Sequence, residues 1–250
     1  MKFQEKFEKI RNKNNSLLCV GLDVDKDKIN KSCLDFNKEI IDSTKDLVCA
    51  YKLNMAFYEA LGLDGYKIIA QTIDYIPKDV VVILDGKRND IGNTAKKYAQ
   101  SLFEIFNSDA VTVNPYLGFD GVKPFIDYKE KCSFILCRTS NQSAKDFQDI
   151  KTDKFLYEKV AEKIKEWNTN KNCGAVVGAT YPDELKKIRG ILGQDLPILI
   201  PGIGAQGGDV QKTIEVSGDN SIIVSSRGII YSKNPRESAI KLKEEINKFR

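Results

Sequence analysis

Short apolar segments recur along the whole chain, and each is followed by a longer stretch with helical spacing. Eight such segments occur in 250 residues, and most are almost continuously apolar. Parallel strands buried on both faces have this pattern, because helices cover both sides of their sheet. The eight predicted strands are LLCVGLDV (17–24), LVCAYKLN (47–54), VVVILDGK (80–87), AVTVNP (110–115), SFILCR (133–138), GAVVGA (174–179), PILIPG (197–202) and SIIVSS (221–226).

The segments between these runs predict helices, and the amphipathic start MKFQEKFEKIRNKNN predicts a short N-terminal helix. No Pro- or Ser-rich linker interrupts the alternation. The pattern therefore favours the α/β class and a single (β/α)8 TIM barrel domain over residues 1–250. An open doubly wound sheet is the alternative. The other predicted helices span 36–46, 55–73, 91–107, 119–130, 152–168, 182–193, 208–217 and 235–249.

Histidine is absent from the chain, and this restricts the chemistry available to it. Without imidazole there is no Ser-His-Asp or Cys-His relay and no His-liganded zinc or iron site. Catalysis has to use carboxylates, ammonium groups, hydroxyls, thiols, backbone dipoles or a cofactor. The 39 Lys and Arg residues nearly balance the 35 Asp and Glu residues, and this mild net charge of +4 predicts no nucleic-acid partner.

The six cysteines are scattered and form no Cys-x-x-Cys pair, the spacing of many metal and redox sites. We therefore expect no metal site and reduced thiols in a cytoplasmic protein. The N-terminal segment lacks an apolar signal core, and no run reaches the ~18 apolar residues that span a membrane. The sequence thus predicts a soluble protein without a membrane partner.

Polar residues follow most of the predicted strands, at the carboxyl ends that form the active face of such barrels. Side chains two positions apart on a strand share a face, so Lys52 lies with Asn54, and Asp85 with Lys87. If both faces point into the barrel mouth, two ammonium groups and at least one carboxylate meet there. Buried charge is costly unless paired, and it marks many functional sites. The remaining polar strand-end residues are Asp23, Asp25, Asn114, Arg138, Thr139, Ser140, Thr180 and Arg227.

The densest cluster of charge is ILDGKRNDIGNTAKKYA, from Ile83 to Ala99. Its Asp85-x-Lys87-x-x-Asp90 spacing places one lysine between two carboxylates. Nearby carboxylates favour the ammonium form, so Lys87 is a candidate proton donor held in place. The alternative is an ordinary surface ion-pair cluster, but the apolar strand VVVIL leads directly into the motif and favours burial.

A second motif, LIPGIGAQGGDV from Leu199 to Val210, carries four glycines around one turn. Such a loop can bring backbone N–H groups close to an anion, and the helix predicted from Gly208 adds its positive end. Arg227 follows the eighth strand, and phosphate sites in these barrels are built from the last two loops. A purely structural glycine-rich turn is the alternative.

Taken in order, the motifs resemble orotidine 5'-phosphate decarboxylases over essentially the whole chain. The resemblance is to the branch with Lys-x-Asn in the second strand and Arg-Thr-Ser-Asn after the fifth. The matching segments are GLDVD (21–25), YKLN (51–54), LDGKRNDIGNT (84–94), TVNPYLG (112–118), RTSN (138–141), PGIGAQGGD (201–209) and SSRGIIY (225–231).

The resemblance implies a homodimeric, cofactor-free (β/α)8 barrel. Its implied reaction converts orotidine 5'-monophosphate to uridine 5'-monophosphate and carbon dioxide, the last step of de novo UMP biosynthesis. The implied catalytic residues form an alternating charged network, in which Lys87 delivers the proton to pyrimidine C6 and Asp90 comes from the partner subunit. These residues are Lys52, Asp85, Lys87 and Asp90.

The resemblance also implies which residues hold the substrate. The ribose side would meet Asp23, Lys52 and Asn54, with Ile91 and Thr94 reaching across the dimer. Ser140 would meet the amide edge of the pyrimidine. The implied substrate-binding residues are Asp23, Asn54, Ile91, Thr94, Ser140, Pro201 near the base, Gln206 and Arg227 at the phosphate, and Ser226.

Two rival functions stay open for the sequence. One is a magnesium-dependent sugar-phosphate decarboxylase of the 3-keto-L-gulonate 6-phosphate type, whose barrels share the D-x-K-x-x-D motif. The other is a catalytically silent phosphate-binding barrel, although binding alone does not require Lys87 between carboxylates.

Overall fold

Eight parallel strands close into a barrel in the computed structural model, which describes residues 1–203 and 209–250. The strands follow one another in chain order, and β8 pairs with β1 to complete the ring. The predicted (β/α)8 barrel is thereby confirmed, and the open doubly wound sheet is excluded. The strands are β1 Leu18–Gly21, β2 Ala50–Asn54, β3 Val81–Arg88, β4 Ala110–Val113, β5 Cys132–Arg138, β6 Cys173–Val177, β7 Ile198–Pro201 and β8 Ser221–Ser225.

Helices surround the barrel and cover the outer faces of its strands. Within the described ranges they are α1 Phe3–Asn14, α2 Cys33–Thr44, α3 Met55–Glu59, α4 Leu63–Tyr75, α5 Gly92–Gln100, α6 Phe119–Ile126, α7 Leu156–Trp167, α8 Pro182–Leu192, α9 Val210–Ser217, α10 Arg227–Ile230 and α11 Pro235–Lys248. None of these helices is long and apolar enough to cross a membrane. All six cysteines are buried free thiols.

The helices of the structure differ from the predicted ones most clearly at three places. The helix predicted at 55–73 is divided into α3 and α4, because Gly62 adopts a φ of 64° that ends the helical backbone. The helix predicted from 152 begins only at Leu156, since the backbone N–H of Phe155 donates to Glu158 Oε2 at 2.8 Å and caps the start. The short helix α10 was not predicted.

The N-terminal helix α1 packs against the amino-terminal end of the barrel. Phe3, Phe7 and Ile10 are buried, and the Phe3 ring meets the ring of Phe134 edge-on at 5.8 Å. The backbone N–H of Phe3 donates to the carbonyl of Glu130, just before β5, at 2.8 Å. This cover leaves the carboxyl end of the barrel as its open face. That residues 1–250 form one domain stays a prediction.

The register of the strands sets the positions of the polar side chains. Lys52 lies opposite Gly21 of β1 and Ile83 of β3, and Asn54 lies opposite Asp85. The pairing of β3 with β4 shifts between Leu84 and Arg88, so the chain bulges directly at the charged motif.

Two glycines in helices offer a matched test of this packing. A Cβ at Gly65, in the first turn of α4, would lie 1.7 Å from the carbonyl oxygen of Tyr58, whereas nothing lies within 4 Å of one at Gly190 in α8. Gly65→Ala should lower the free energy of unfolding by about 2 kcal/mol, because backbone has to move. Gly190→Ala should raise it by about 0.5 to 1 kcal/mol through helix propensity. Urea unfolding of both variants measures the difference, and equal effects would contradict the described packing of α4 on α3.

Candidate active site

A polar pocket opens at the carboxyl ends of the strands, where the sequence placed the active face. Its volume is about 290 Å³. Charged groups enter from β2, from β3 and from the segment that follows β1, and apolar side chains from β6, β7 and β8 line the other wall. The lining residues are Asp23, Lys52, Asn54, Asp85, Lys87, Thr112, Ser140, Val176, Leu199, Pro201, Gly202, Ile203, Val224, Ser226 and Arg227.

Four charged side chains form a continuous chain of alternating sign across the charged wall. Lys52 Nζ lies 3.4 Å from Asp23 Oδ1 and 3.0 Å from Asp85 Oδ2. The other oxygen of that carboxylate, Asp85 Oδ1, lies 2.7 Å from Lys87 Nζ. The expectation that two ammonium groups and a carboxylate converge is therefore confirmed, with Asp23 as a second carboxylate.

Burial and charge act in opposite directions on the two central groups. Burial alone would raise the pKa of Asp85, but Lys52 and Lys87 outweigh it and hold that pKa well below its usual range. Burial alone would lower the pKa of Lys52, but Asp23 and Asp85 raise it above its ordinary value. Both groups therefore stay charged at neutral pH although their side chains are only 10% and 6% exposed.

Lys87 is the accessible end of this charged chain. Its side chain is 47% exposed, whereas the other three members are mostly buried. Its backbone adopts a φ of 46°, a left-handed conformation that is uncommon for a residue with a side chain. A lysine that is held at its base and open to solvent at its ammonium group can meet a ligand in the pocket.

Two residues that follow β8 donate hydrogen bonds to Asp23 and hold it in place. Ser226 Oγ donates to Asp23 Oδ2 at 2.8 Å, and the Tyr231 hydroxyl donates to the Asp23 carbonyl at 3.2 Å. A Cβ at Gly21 would lie 1.9 Å from Ser226 Oγ, so glycine permits this close approach between β1 and the end of β8.

The far wall of the pocket carries Ser140, Pro201 and Arg227. Ser140 packs on Gly178, where a Cβ would lie 2.7 Å from the Ser140 Cβ. Arg227 is exposed and begins α10 at the end of β8. These positions put a hydroxyl, an apolar ring and a guanidinium around the opening.

Four predicted site residues do not belong to the described pocket. Asp90, Ile91 and Thr94 are not among its lining residues, and Asp90 Oδ1 accepts the backbone N–H of Ile91 at 2.8 Å. Ile91 and Thr94 are exposed on the outer surface. Gln206 lies outside the described residues.

Five of the polar strand-end residues do not line the pocket, and Thr139 and Thr180 are two of them. Asp25 caps the short 3-10 helix Lys26–Lys28, and Asn114 Oδ1 accepts the N–H of Tyr116 at 3.0 Å. Arg138 is buried and makes a bidentate pair with Asp149, at 2.8 and 3.0 Å. Residues at strand ends also cap and brace the loops that follow them, which the sequence pattern does not distinguish from pocket lining.

Thr112 was not predicted as a site residue, although it lies within the motif TVNPYLG. Its hydroxyl lies in the pocket wall, 2.8 Å from Asp85 Oδ1. The sequence did carry a signal for this position, because Thr112 is a polar residue within the otherwise apolar strand Ala110–Val113.

The charge on Asp85 should appear in the acid stability of the protein. Because its folded pKa lies below the unfolded value, its contribution to stability is present above about pH 4 and is lost as pH falls below that. Below about pH 4 the free energy of unfolding should fall more steeply for wild type than for Asp85→Asn, by up to about 1.4 kcal/mol per pH unit. Urea unfolding between about pH 2.5 and 6 measures both slopes. Parallel curves would show that Asp85 is not held ionised.

The chain is similar to known proteins both in sequence and in structure. The family model for the orotidine 5'-phosphate decarboxylase / HUMPS family matches residues 16–242. Curated orotidine 5'-phosphate decarboxylases include one from Dehalococcoides mccartyi that is 48% identical over 268 residues, with 100% of this chain and 99% of the relative covered. One from Cellvibrio japonicus is 44% identical, with 99% of this chain and 98% of the relative covered.

Solved structures give the same family. The OMP decarboxylase of Leishmania donovani superimposes with a TM-score of 0.91 at 36% identity, and the match covers 100% of this chain and 98% of that one. The UMP synthase of the same organism gives a TM-score of 0.94 at 38% identity over all of this chain, which spans 56% of that longer protein. The chain therefore belongs to the orotidine 5'-phosphate decarboxylase / HUMPS family.

Proposed function

We propose that this protein decarboxylates orotidine 5'-monophosphate to uridine 5'-monophosphate and carbon dioxide, the last step of UMP biosynthesis. Its family and the names of its relatives support this reaction. The observation that carries the proposal is the ammonium group of Lys87, held 2.7 Å from Asp85 and open to a pocket at the barrel mouth.

The chemistry requires a positive charge and a proton at one position. When the bond between C6 and the carboxylate breaks, carbon dioxide leaves and the electron pair remains on C6. A fixed ammonium group stabilises this charge without a rearrangement of solvent. Lys87 Nζ then gives its proton to C6, which completes the C6–H bond of the product, and the resulting amine takes a proton from water. No redox step or cofactor is needed.

The buried neighbours of Lys87 fix its position. Asp85 is shared between Lys52 and Lys87, and Lys52 is in turn shared with Asp23. Each buried charge therefore has an opposite charge within 3.4 Å, which offsets the cost of its desolvation. We assign the catalytic network to Lys52, Asp85 and Lys87, completed by Asp90 of a second subunit.

The remaining wall suits a nucleotide with a phosphate at one end. We assign Asp23 and Asn54 to the ribose side, Ser140 to the amide edge of the base and Arg227 to the phosphate. Pro201 and the neighbouring apolar residues would pack against the base. Ser226 donates to Asp23 and closes this side of the pocket, and Gln206 remains a proposed phosphate ligand.

We also propose that two copies of the chain form the complete site. Asp90 and Ile91 follow the catalytic strand yet lie outside their own pocket, and Ile91 is 56% exposed. A Cβ at Gly121 would lie 3.2 Å from the Asp90 carbonyl oxygen and 3.3 Å from the Leu117 Cβ, so Asp90 lies beside the loop that carries the exposed apolar residues Tyr116 and Leu117. Apolar surface of this kind favours a protein interface, through which Asp90, Ile91 and Thr94 would reach the partner's pocket.

The magnesium-dependent rival is disfavoured by the position of Lys52. Its Nζ lies between Asp23 Oδ1 and Asp85 Oδ2, so a cation of the chain already occupies the space between the two carboxylates. A divalent ion at this place would have to displace Lys52. Release of carbon dioxide from orotidine 5'-monophosphate in the presence of EDTA separates the two functions. We expect the reaction to take place in the cytoplasm.

Lys87→Ala should lower kcat by at least about three decades, or ~4 kcal/mol of transition-state stabilisation, because both the charge and the proton are lost. The ultraviolet assay of orotidine 5'-monophosphate consumption measures this. Lys67→Ala is the matched control, because Lys67 lies on the exposed face of α4 and pairs with Asp64 on the same helix. A Lys87→Ala enzyme that keeps more than about a tenth of wild-type kcat would remove Lys87 from the role of proton donor.

The shared site can be tested by mixing inactive variants. Lys87→Ala and Asp90→Ala homodimers should each be nearly inactive, because each lacks one member of the network. After subunit exchange, half of the dimers contain both variants and one of the two sites in each is intact, so about one quarter of wild-type activity should return. No recovery after exchange is verified by mass spectrometry would place the whole site within one chain.

A further inference from the structure

We propose that Thr112 is a positioning residue that sets the direction of the Lys87 side chain and the orientation of the Asp85 carboxylate. The inference rests on the proposed function and adds a residue from β4 to it. Thr112 is only 1% exposed, and its side chain faces the pocket between two residues of the β3 motif.

The hydroxyl of Thr112 makes two contacts that use its donor and its acceptor. It donates to Asp85 Oδ1 at 2.8 Å, and it accepts the backbone N–H of Lys87 at 2.9 Å. A hydroxyl has one proton, so donation to Asp85 fixes its rotation and leaves a lone pair for the Lys87 N–H. One side chain thereby ties the start of the motif to its end.

The backbone N–H of Lys87 needs this partner because the β3–β4 ladder is interrupted there. The pairing shifts between Leu84 and Arg88, so Lys87 has no residue paired with it on β4. Its φ of 46° is unfavourable for a side-chain-bearing residue and persists only where contacts hold it. The Thr112 hydroxyl supplies such a contact at the residue that carries the proposed proton donor.

The Thr112 hydroxyl also orients the Asp85 carboxylate. Asp85 Oδ1 accepts from both Thr112 Oγ1 and Lys87 Nζ, at 2.8 and 2.7 Å, while Oδ2 faces Lys52. Without the Thr112 hydroxyl, the Asp85 carboxylate keeps only its two lysine partners, Lys52 and Lys87, and can rotate. Lys87 would then lose both the fixed backbone and the fixed counter-charge that aim its ammonium group.

Thr112→Val tests this directly, because valine keeps the shape of threonine and removes the hydroxyl. We expect kcat to fall by about 30-fold or more with KM changed by less than about threefold, since misplacing a reacting group costs turnover rather than binding. Thr112→Ser keeps the hydroxyl and should retain kcat within about threefold. Thr112→Ala supplies the hydroxyl-free measurement if the valine variant does not fold.

The matched control is Thr44→Val. Thr44 is also fully buried and its hydroxyl contacts the Ile40 carbonyl and the Tyr51 hydroxyl, but it lies on α2 outside the pocket. Its kcat should stay within about twofold of wild type even if the variant is less stable. Equal losses of kcat in Thr44→Val and Thr112→Val would assign Thr112 a general structural role and overturn the inference.

Crystal structures of wild type and Thr112→Val decide the inference independently of activity. We expect Lys87 in the variant to leave the left-handed region, or its Nζ to move out of contact with Asp85 Oδ1. Retention of both features would overturn the inference even if wild type failed to decarboxylate orotidine 5'-monophosphate. Wild-type kcat in Thr112→Val, beside a large loss in Lys87→Ala, would overturn it and leave the proposed function intact.

Discussion

The sharing of one buried carboxylate between two lysines is the interaction on which the site depends. Asp85 offers one oxygen to Lys52 and the other to Lys87, and neither lysine could be placed there without it. The pair Lys52–Asp85 is buried, so each charge would be strongly destabilising alone. Asp23 completes the chain and leaves Lys87 as the member with free access to the pocket.

The barrel makes this arrangement possible by geometry. Neighbouring parallel strands place residues of like parity side by side, so Lys52 of β2 and Asp85 of β3 meet across one ladder. The bulge between β3 and β4 then turns Lys87 out of the regular pleat, and Thr112 holds it there. Apolar side chains of the later strands close the opposite wall and keep the local dielectric low, which strengthens each of these contacts.

The strands and the charged cluster could be predicted from the sequence because both depend on the spacing of residues that are close together along the chain. The eight apolar runs located all eight strands, and the spacing of Lys52, Asp85 and Lys87 placed them at one end of the barrel. The direction of a side chain at a strand end is not a periodic property. Arg138 therefore turned out to brace a loop through Asp149 rather than to line the pocket.

The role of Thr112 and the left-handed backbone of Lys87 likewise depend on contacts between strands, which one strand's pattern does not contain. The break of the helix at Gly62 follows from a single residue's backbone conformation within an otherwise helical segment. The assignment of Asp90, Ile91 and Thr94 to a partner's site came from family resemblance alone, and it stays a prediction because it needs a second chain.

The most direct test of the account is hydrogen exchange at C6 of uridine 5'-monophosphate in deuterium oxide, followed by proton NMR. This reaction reverses the protonation step without decarboxylation, so it reports on the proton transfer between C6 and Lys87. Wild type should replace the C6 hydrogen with deuterium, and Lys87→Ala should not do so above the uncatalysed rate. Exchange by Lys87→Ala at the wild-type rate would contradict the assignment of Lys87 as the group that delivers the proton.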